Sequence, residues 1–261
     1  MDDAMVSAVT CGAVMAFDRN IWIEKFLENS VPSFPCPHCS RGVLGFDGKS
    51  FWKEEPKHSK DAHAHDDWDP TWIEERFVMF LRCGVAKCGE VVAVSGNIEV
   101  EEVVDEDEGY DFASVLYPTS LVPAPPIIQM TDGTPDEVAG ELSLAFQLFW
   151  ADLGASATKI RTSVERLMDH FKVARYSRTK GKLKPIPLYN RIEAFIKANG
   201  KVVHQDHLHA LRVVGNLGTH KNSLTRSDIL EAFQVYEHAL DELIGKKSAS
   251  IAKLARKLKK K

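Results

Sequence analysis

Glu99-Val100-Glu101-Glu102-Val103-Val104-Asp105-Glu106-Asp107-Glu108-Gly109-Tyr110-Asp111 is the stretch on which the division of the chain turns. It holds eight acidic residues and no basic one, and Pro118, Pro123, Pro125 and Pro126 follow it. A charge run trailed by prolines reads as a solvated linker, here residues 99–133. On that reading a compact head of residues 1–98 precedes the linker, a longer segment of residues 134–245 follows it, and residues 246–261 form a basic tail. The expected fold class is mainly α: a small zinc-ribbon-like β module, then an antiparallel helical bundle.

The head carries the sharpest chemical pattern. Cys36-Pro37-His38-Cys39 and Cys83-Gly84-Val85-Ala86-Lys87-Cys88 are two close thiol pairs separated by a 43-residue gap. Each pair can turn tightly enough to point both sulfurs at one ion, and two such turns supply the four corners of a structural zinc site. Cys36, Cys39, Cys83 and Cys88 are therefore the expected ligands of a structural Zn2+. Four thiolates leave no open position, so the site is structural rather than catalytic. In a reducing compartment paired cysteines point to metal before disulfide. His38, His58, His63 and His65 are alternative donors that otherwise read as solvated, and Cys11 stands apart as a small apolar residue. Phe77–Leu81 and Val91–Val94, each beside a thiol pair, read as strands. Trp22, Ile23, Phe26 and Leu27 recur at helical spacing and predict a short amino-terminal helix. Residues 53–72 read as a surface insertion.

Behind the linker the period changes. Thr134-Pro135-Asp136-Glu137 has the chemistry of a helix start, with proline in the first turn and acids at the positive end of the dipole. Apolar stripes follow: Val138, Leu142, Ala145, Phe149 and Leu153; Ile160, Val164, Leu167, Met168 and Phe171; Tyr189, Ile192, Phe195 and Ile196; Leu208, Leu211 and Val214; Ile229, Phe233, Tyr236, Leu240 and Leu243. Such stripes need partners, and a bundle supplies them. The basic residues 174–187, with Pro185 and Pro187, read as a loop.

The whole chain has 261 residues, 44% hydrophobic and 27% charged, with a net charge of -4. No global basic field marks it as a nucleic-acid binder. The charge is uneven, however. Residues 159–184 hold nine lysines and arginines against two acids, and the tail holds eight basic residues and no acid. These patches can follow a nucleic-acid backbone, or they are solvated faces. No apolar stretch is long enough to cross a membrane, and Asp2 and Asp3 stand where an export signal wants basic residues, so a cytoplasmic protein is expected.

Leu211-Arg212-Val213-Val214-Gly215-Asn216-Leu217-Gly218-Thr219-His220 is the other unusual segment. On one helix Arg212, Asn216 and His220 share a face and could grip a phosphate, with the arginine as charge, the asparagine as donor and the histidine as acid or base. The plainer reading gives Gly215 and Gly218 to close helix packing, Asn216 to backbone satisfaction and His220 to a helix end.

Taken with Arg161-Thr162-Ser163-Val164-Glu165-Arg166-Leu167 and Leu188…Ile192…Ile196…Asn199-Gly200, this segment resembles the bacterial domain of unknown function DUF4145, over about residues 135–245. Members often carry an amino-terminal cysteine-rich ribbon. The resemblance implies a HEPN-like helical bundle, a homodimer, and a setting among phage-defence genes. It also implies RNA or a protein as partner. Many HEPN domains cut RNA without metal, using an arginine, a following polar residue and a histidine. Asn216 and His220 match the last two, while Gly215 stands where the arginine belongs and Arg212 lies one turn earlier. The expectation is an RNA- or partner-binding HEPN-like protein resting on Arg161, Arg166, Arg212, Asn216 and His220. The alternatives are a metal-independent ribonuclease with Arg212, Asn216 and His220 as catalytic residues, and a dimeric scaffold without catalysis.

Overall fold

The computed structural model describes residues 18–39, 41–105, 109–200, 202–218 and 224–259. In chain order the elements are β1 (Leu44–Glu54), α1 (Lys57–Ala62), β2 (Glu74–Cys83), β3 (Val91–Asp105) and β4 (Gly109–Val122). They continue with α2 (Asp136–Ala151), α3 (Leu153–His170), β5 (Tyr176–Thr179), β6 (Lys182–Pro185), α4 (Leu188–Asn199), α5 (Gln205–Leu217), α6 (Arg226–Leu243) and α7 (Lys247–Leu258). Helix makes up 47% of the chain and strand 25%, so the fold is mixed and the expectation of a mainly α protein is wrong.

The error has one source. The described part of the acidic stretch expected as a linker lies in the longest strand pair, β3 and β4, of a four-stranded antiparallel sheet ordered β1-β2-β3-β4. Val100 pairs with Ser114, Glu102 with Phe112 and Val103 with Asp111. Valines spaced among the glutamates satisfy a pleated strand, because alternate positions face solvent and can carry charge. Glu101 bonds to Lys25 at 2.5 Å and accepts from the Tyr117 hydroxyl. Pro118 is tolerated because β4 is an edge strand, and it sits opposite Gly96 where the register shifts.

The inner face of the sheet is apolar. Phe77, Met79 and Leu81 from β2, Val92, Val94 and Ile98 from β3, and Leu116 and Leu121 from β4 are buried. The expected amino-terminal helix is absent from the described residues. Residues 19–21 form a single 3-10 turn, and Phe26 then bridges β4, exchanging backbone bonds with Leu116. Trp22 and Phe26 are buried while Ile23 and Leu27 are exposed. The apolar positions thus mark docking onto the sheet, not a helical face.

The helices pack around α3, whose Ile160, Val164, Leu167 and Met168 are fully buried. Phe146 and Phe149 of α2 meet Phe233 of α6 at 5.1 and 6.4 Å between ring centroids. The α2–α3 corner is capped by Asp152, which accepts from the Ala155 amide. Residues 174–187, expected as a loop, contain the β5–β6 hairpin. Lys180 and Gly181, at φ 50° and 77°, form a two-residue turn of the kind that needs positive φ at both positions.

Sheet and helices share one core. Trp22 and Phe34 from the head pack on Phe149 and Trp150 of α2, with Trp22–Phe34 at 5.3 Å and Phe34–Trp150 at 5.6 Å. A continuous buried cluster runs from Cys36 to Leu243. Denaturant unfolding is therefore expected as a single transition, coincident by tryptophan fluorescence and far-ultraviolet circular dichroism. Two separated transitions would show that sheet and helices fold independently.

Candidate metal centre and basic face

Pairing of β1 with β2 builds the thiol cluster. Leu44 at the start of β1 lies opposite Cys83 at the end of β2, so the chain entering β1 and the chain leaving β2 run side by side. The first turn is closed by the Cys36 amide donating to the Gly42 carbonyl at 2.9 Å, and the Gly42 amide donates to the Cys39 sulfur at 3.3 Å. The second is closed by the Cys83 amide donating to Glu90 and the Cys88 amide donating to Val85, both at 2.8 Å. The Gly84 amide donates to Val43 at 3.0 Å and ties the two turns together.

The four sulfurs lie within 4.8 Å of one another, with Cys36–Cys88 at 3.7 Å and Cys39–Cys83 at 3.8 Å. Those separations are far too long for a disulfide, whose sulfurs sit about 2.05 Å apart. They match a tetrahedral metal–thiolate site, where bonds of about 2.3 Å put neighbouring sulfurs about 3.8 Å apart. The four expected ligands are thus brought together, and they could hold a metal ion. Burial pushes the Cys83 thiol up to about 12. The Arg41 amide, foremost, pulls the Cys39 thiol down to about 6 against its own burial. His38 lies beside the cluster, its Nδ1 3.5 Å from the Cys88 sulfur. His58, His63 and His65 are engaged elsewhere, with Glu74, with Glu55 and Trp68, and with Trp72. Cys11 lies outside the described residues.

Arg212 and Asn216 sit one turn apart on α5, and His220 lies outside the described residues. The Arg212 guanidinium is 5.4 Å from the centre of the Tyr189 ring, which itself stacks on His209. Gly215 is buried against α3: a Cβ there would stand 2.2 Å from the Cβ of Arg161. A Cβ on Gly218 would stand 2.3 Å from the Gly154 carbonyl oxygen. Both glycines thus serve close helix packing, and no larger residue fits at 215 without moving α5 off α3.

Sequence reasoning missed how the arginines are gathered. Asp169 on α3 accepts from Arg191 Nη2 at 2.6 Å and from Arg175 Nε at 2.7 Å. Burial raises the Asp169 carboxyl, but the two guanidiniums outweigh it and hold the group below the ordinary carboxylate range. Arg191 is only 5% exposed. Arg161 pairs with Glu165 at 2.9 Å, while Arg166 is held loosely, 3.6 Å from Glu141 and 3.7 Å from Asp169. Beyond them the β5–β6 hairpin projects Arg178, Lys180, Lys182 and Lys184, all exposed. The signal was present as a basic run and a Lys-Gly turn, but the two prolines masked the hairpin.

Residues 24–123 match the model of one domain of unknown function (DUF8608), and residues 143–261 match that of another (DUF4145). The second match bears out the resemblance to that domain read over about residues 135–245, and the first spans the sheet and its thiol cluster. No curated protein and no solved structure matches the chain. Among the described residues no helix is long and apolar enough to cross a membrane.

Proposed function

We propose that this protein binds RNA without cutting it, through the basic β5–β6 hairpin, and that its four cysteines hold a structural zinc ion. The hairpin carries the reading. Residues 175–184 hold five cations and no acid, and every one of these residues is exposed. A two-stranded projection of that charge suits a phosphate backbone, whose binding releases counterions and scales with the number of contacts. Tyr176 and Leu183, exposed on the same hairpin, offer apolar contact to bases.

Cutting is disfavoured by the packing of α5 on α3. The HEPN-like arrangement wants an arginine at position 215, and the Arg161 stem fills that space. Arg212, one turn earlier, is drawn over Tyr189. A four-thiolate zinc is coordinatively closed and stabilises the sheet end rather than acting on substrate.

The test is a salt titration of binding to a hydroxyl-ended single-stranded RNA oligonucleotide. Replacing Arg178, Lys180, Lys182 and Lys184 together by glutamine is expected to weaken binding more than 30-fold at 0.1 M salt, an order-of-magnitude figure, and to flatten the salt slope by roughly three. Unchanged affinity and slope would refute the hairpin as the contact surface. RNA shortening that vanishes in His220→Ala would restore the nuclease alternative.

A further inference from the structure

The same cluster of arginines forms a cleft at the base of the hairpin. We propose that this cleft, between α3, the hairpin and the start of α4, is a binding site for a phosphomonoester dianion. In the setting of the function proposed above, on which this identification of source rests, that dianion is the phosphorylated end of an RNA strand.

The cleft has a volume of about 370 Å³, within the range of small-ligand sites. Arg161, Arg166, Arg175 and Arg191 line it, against the carboxylates of Glu165 and Asp169. Four guanidiniums over two carboxylates leave an excess of two positive charges, which is the charge of a phosphomonoester with its sign reversed. The carboxylates hold the arginines in place and offset half of their charge. Arg191 gives Nη2 to Asp169 and to the Val173 carbonyl and Nη1 to the Glu165 carbonyl, yet its Nε is buried without a partner among the described residues. Arg161 Nε is buried and unpartnered in the same way. Two guanidiniums lining one cleft thus keep hydrogen-bonding capacity that the chain's own groups do not fill. Planar guanidiniums suit such an ion because each can present two parallel N–H groups to a phosphate.

The start of α4 adds to this. Leu188, its first residue, lines the cleft, and Pro187 before it supplies no side-chain cap. The first turn contains no acid, so the positive end of the helix dipole is uncompensated by any residue of the helix. Tyr176, at the cleft mouth and 56% exposed, is placed to stack on the terminal base.

The test compares an RNA oligonucleotide carrying a 5′-phosphate, the same oligonucleotide with a 3′-phosphate and its hydroxyl-ended counterpart, together with adenosine monophosphate and inorganic phosphate. Calorimetry on the full chain reads affinity. One phosphorylated end is expected to bind about 10-fold tighter than the hydroxyl end, and the ratio is expected to fall to near one in Arg166→Gln, a substitution at a loosely paired and half-buried side chain. Tyr176→Ala is expected to lower the same ratio less. Mononucleotide binding that Arg166→Gln abolishes, with no preference among oligonucleotide ends, would support the dianion site and make a free nucleotide its source. Binding of mononucleotide without any RNA binding would retain the cleft and refute the RNA function. Equal affinity for all three ends, with no binding of mononucleotide or phosphate, would overturn the cleft proposal even where hydroxyl-ended RNA binds.

Discussion

Cys36→Ser is expected to reduce bound zinc from one ion per chain to none and to unlatch the end of the sheet where β1 and β2 begin and end. The size of the effect follows from what the metal replaces. Structural zinc in small domains contributes about 10–16 kcal/mol of apparent binding energy at neutral pH, more than most single domains have in total. Here part of the head is also held by Trp22, Phe34 and the inner face of the sheet, so loss of metal is expected to be local. Hydrogen exchange should accelerate by several orders of magnitude at the amides of Cys36, Gly42, Cys83 and Cys88, while those of α3 and α6 keep their protection. Gly42→Ala provides a second route that spares all four ligands. Its added Cβ would stand 2.3 Å from the Cys83 sulfur and 3.2 Å from the Cys39 sulfur, so the tetrahedron cannot close as drawn and zinc affinity is expected to fall at least 100-fold, on the order of 3 kcal/mol. Cys11→Ser is the control and should retain one zinc. Wild-type protein without bound metal, or stoichiometric zinc in Cys36→Ser, would refute the assignment.

The thiol cluster was readable in the sequence because metal ligation demands few residue types at short spacing. Cys36 with Cys39 and Cys83 with Cys88 state the chemistry, and their 43-residue separation is bridged by β1–β2 pairing rather than by anything local. The helices were readable for a related reason. Apolar stripes such as Ile160, Val164, Leu167 and Met168 repeat at the period of the element that buries them. The acidic strands were not readable in the same way. In β3 the charged residues occupy positions whose counterparts in a buried strand would be apolar, and linker and half-exposed strand then share one composition. What distinguishes them is pairing partners ten or more residues away, such as Glu102 with Phe112. The Trp22–Leu27 segment failed through its short length, because one turn of helix and one bridged strand bury the same two aromatic positions.

The arginine cleft shows a different limit. Arg161 and Arg166 stood out in the sequence as cations, and Arg161 pairs with Glu165 one turn along α3. Arg191 gave no sign of its role, since it interrupts no pattern on α4 and its partner Asp169 lies 22 residues earlier. Burial decides its importance, and burial comes from the packing of α4 against the end of α3, which the local sequence does not announce.

That burial makes Asp169→Ala the most damaging surface-adjacent change expected in the helical part. Arg191, 5% exposed, would lose its carboxylate and remain charged, since a guanidinium does not deprotonate at accessible pH. Removing one partner of a buried pair costs about 3–5 kcal/mol, to be read as the shift in denaturant midpoint at constant slope. The same pairing sets an acid limit. The Asp169 carboxyl titrates lower in the folded chain than in the unfolded one, so its contribution is complete above the unfolded pKa of about 3.9 and fades as pH falls through the folded value. Asp169→Ala should therefore lose more stability at pH 7 than at pH 3. The substitution also frees two guanidiniums to take another anion. If the cleft receives a phosphomonoester, adenosine monophosphate should raise the melting temperature of Asp169→Ala more than that of the wild type, because ligand binding stabilises in proportion to its affinity for the native state. An equal or smaller rise would mean that Asp169 only balances Arg191, and that the cleft takes no anion in its place.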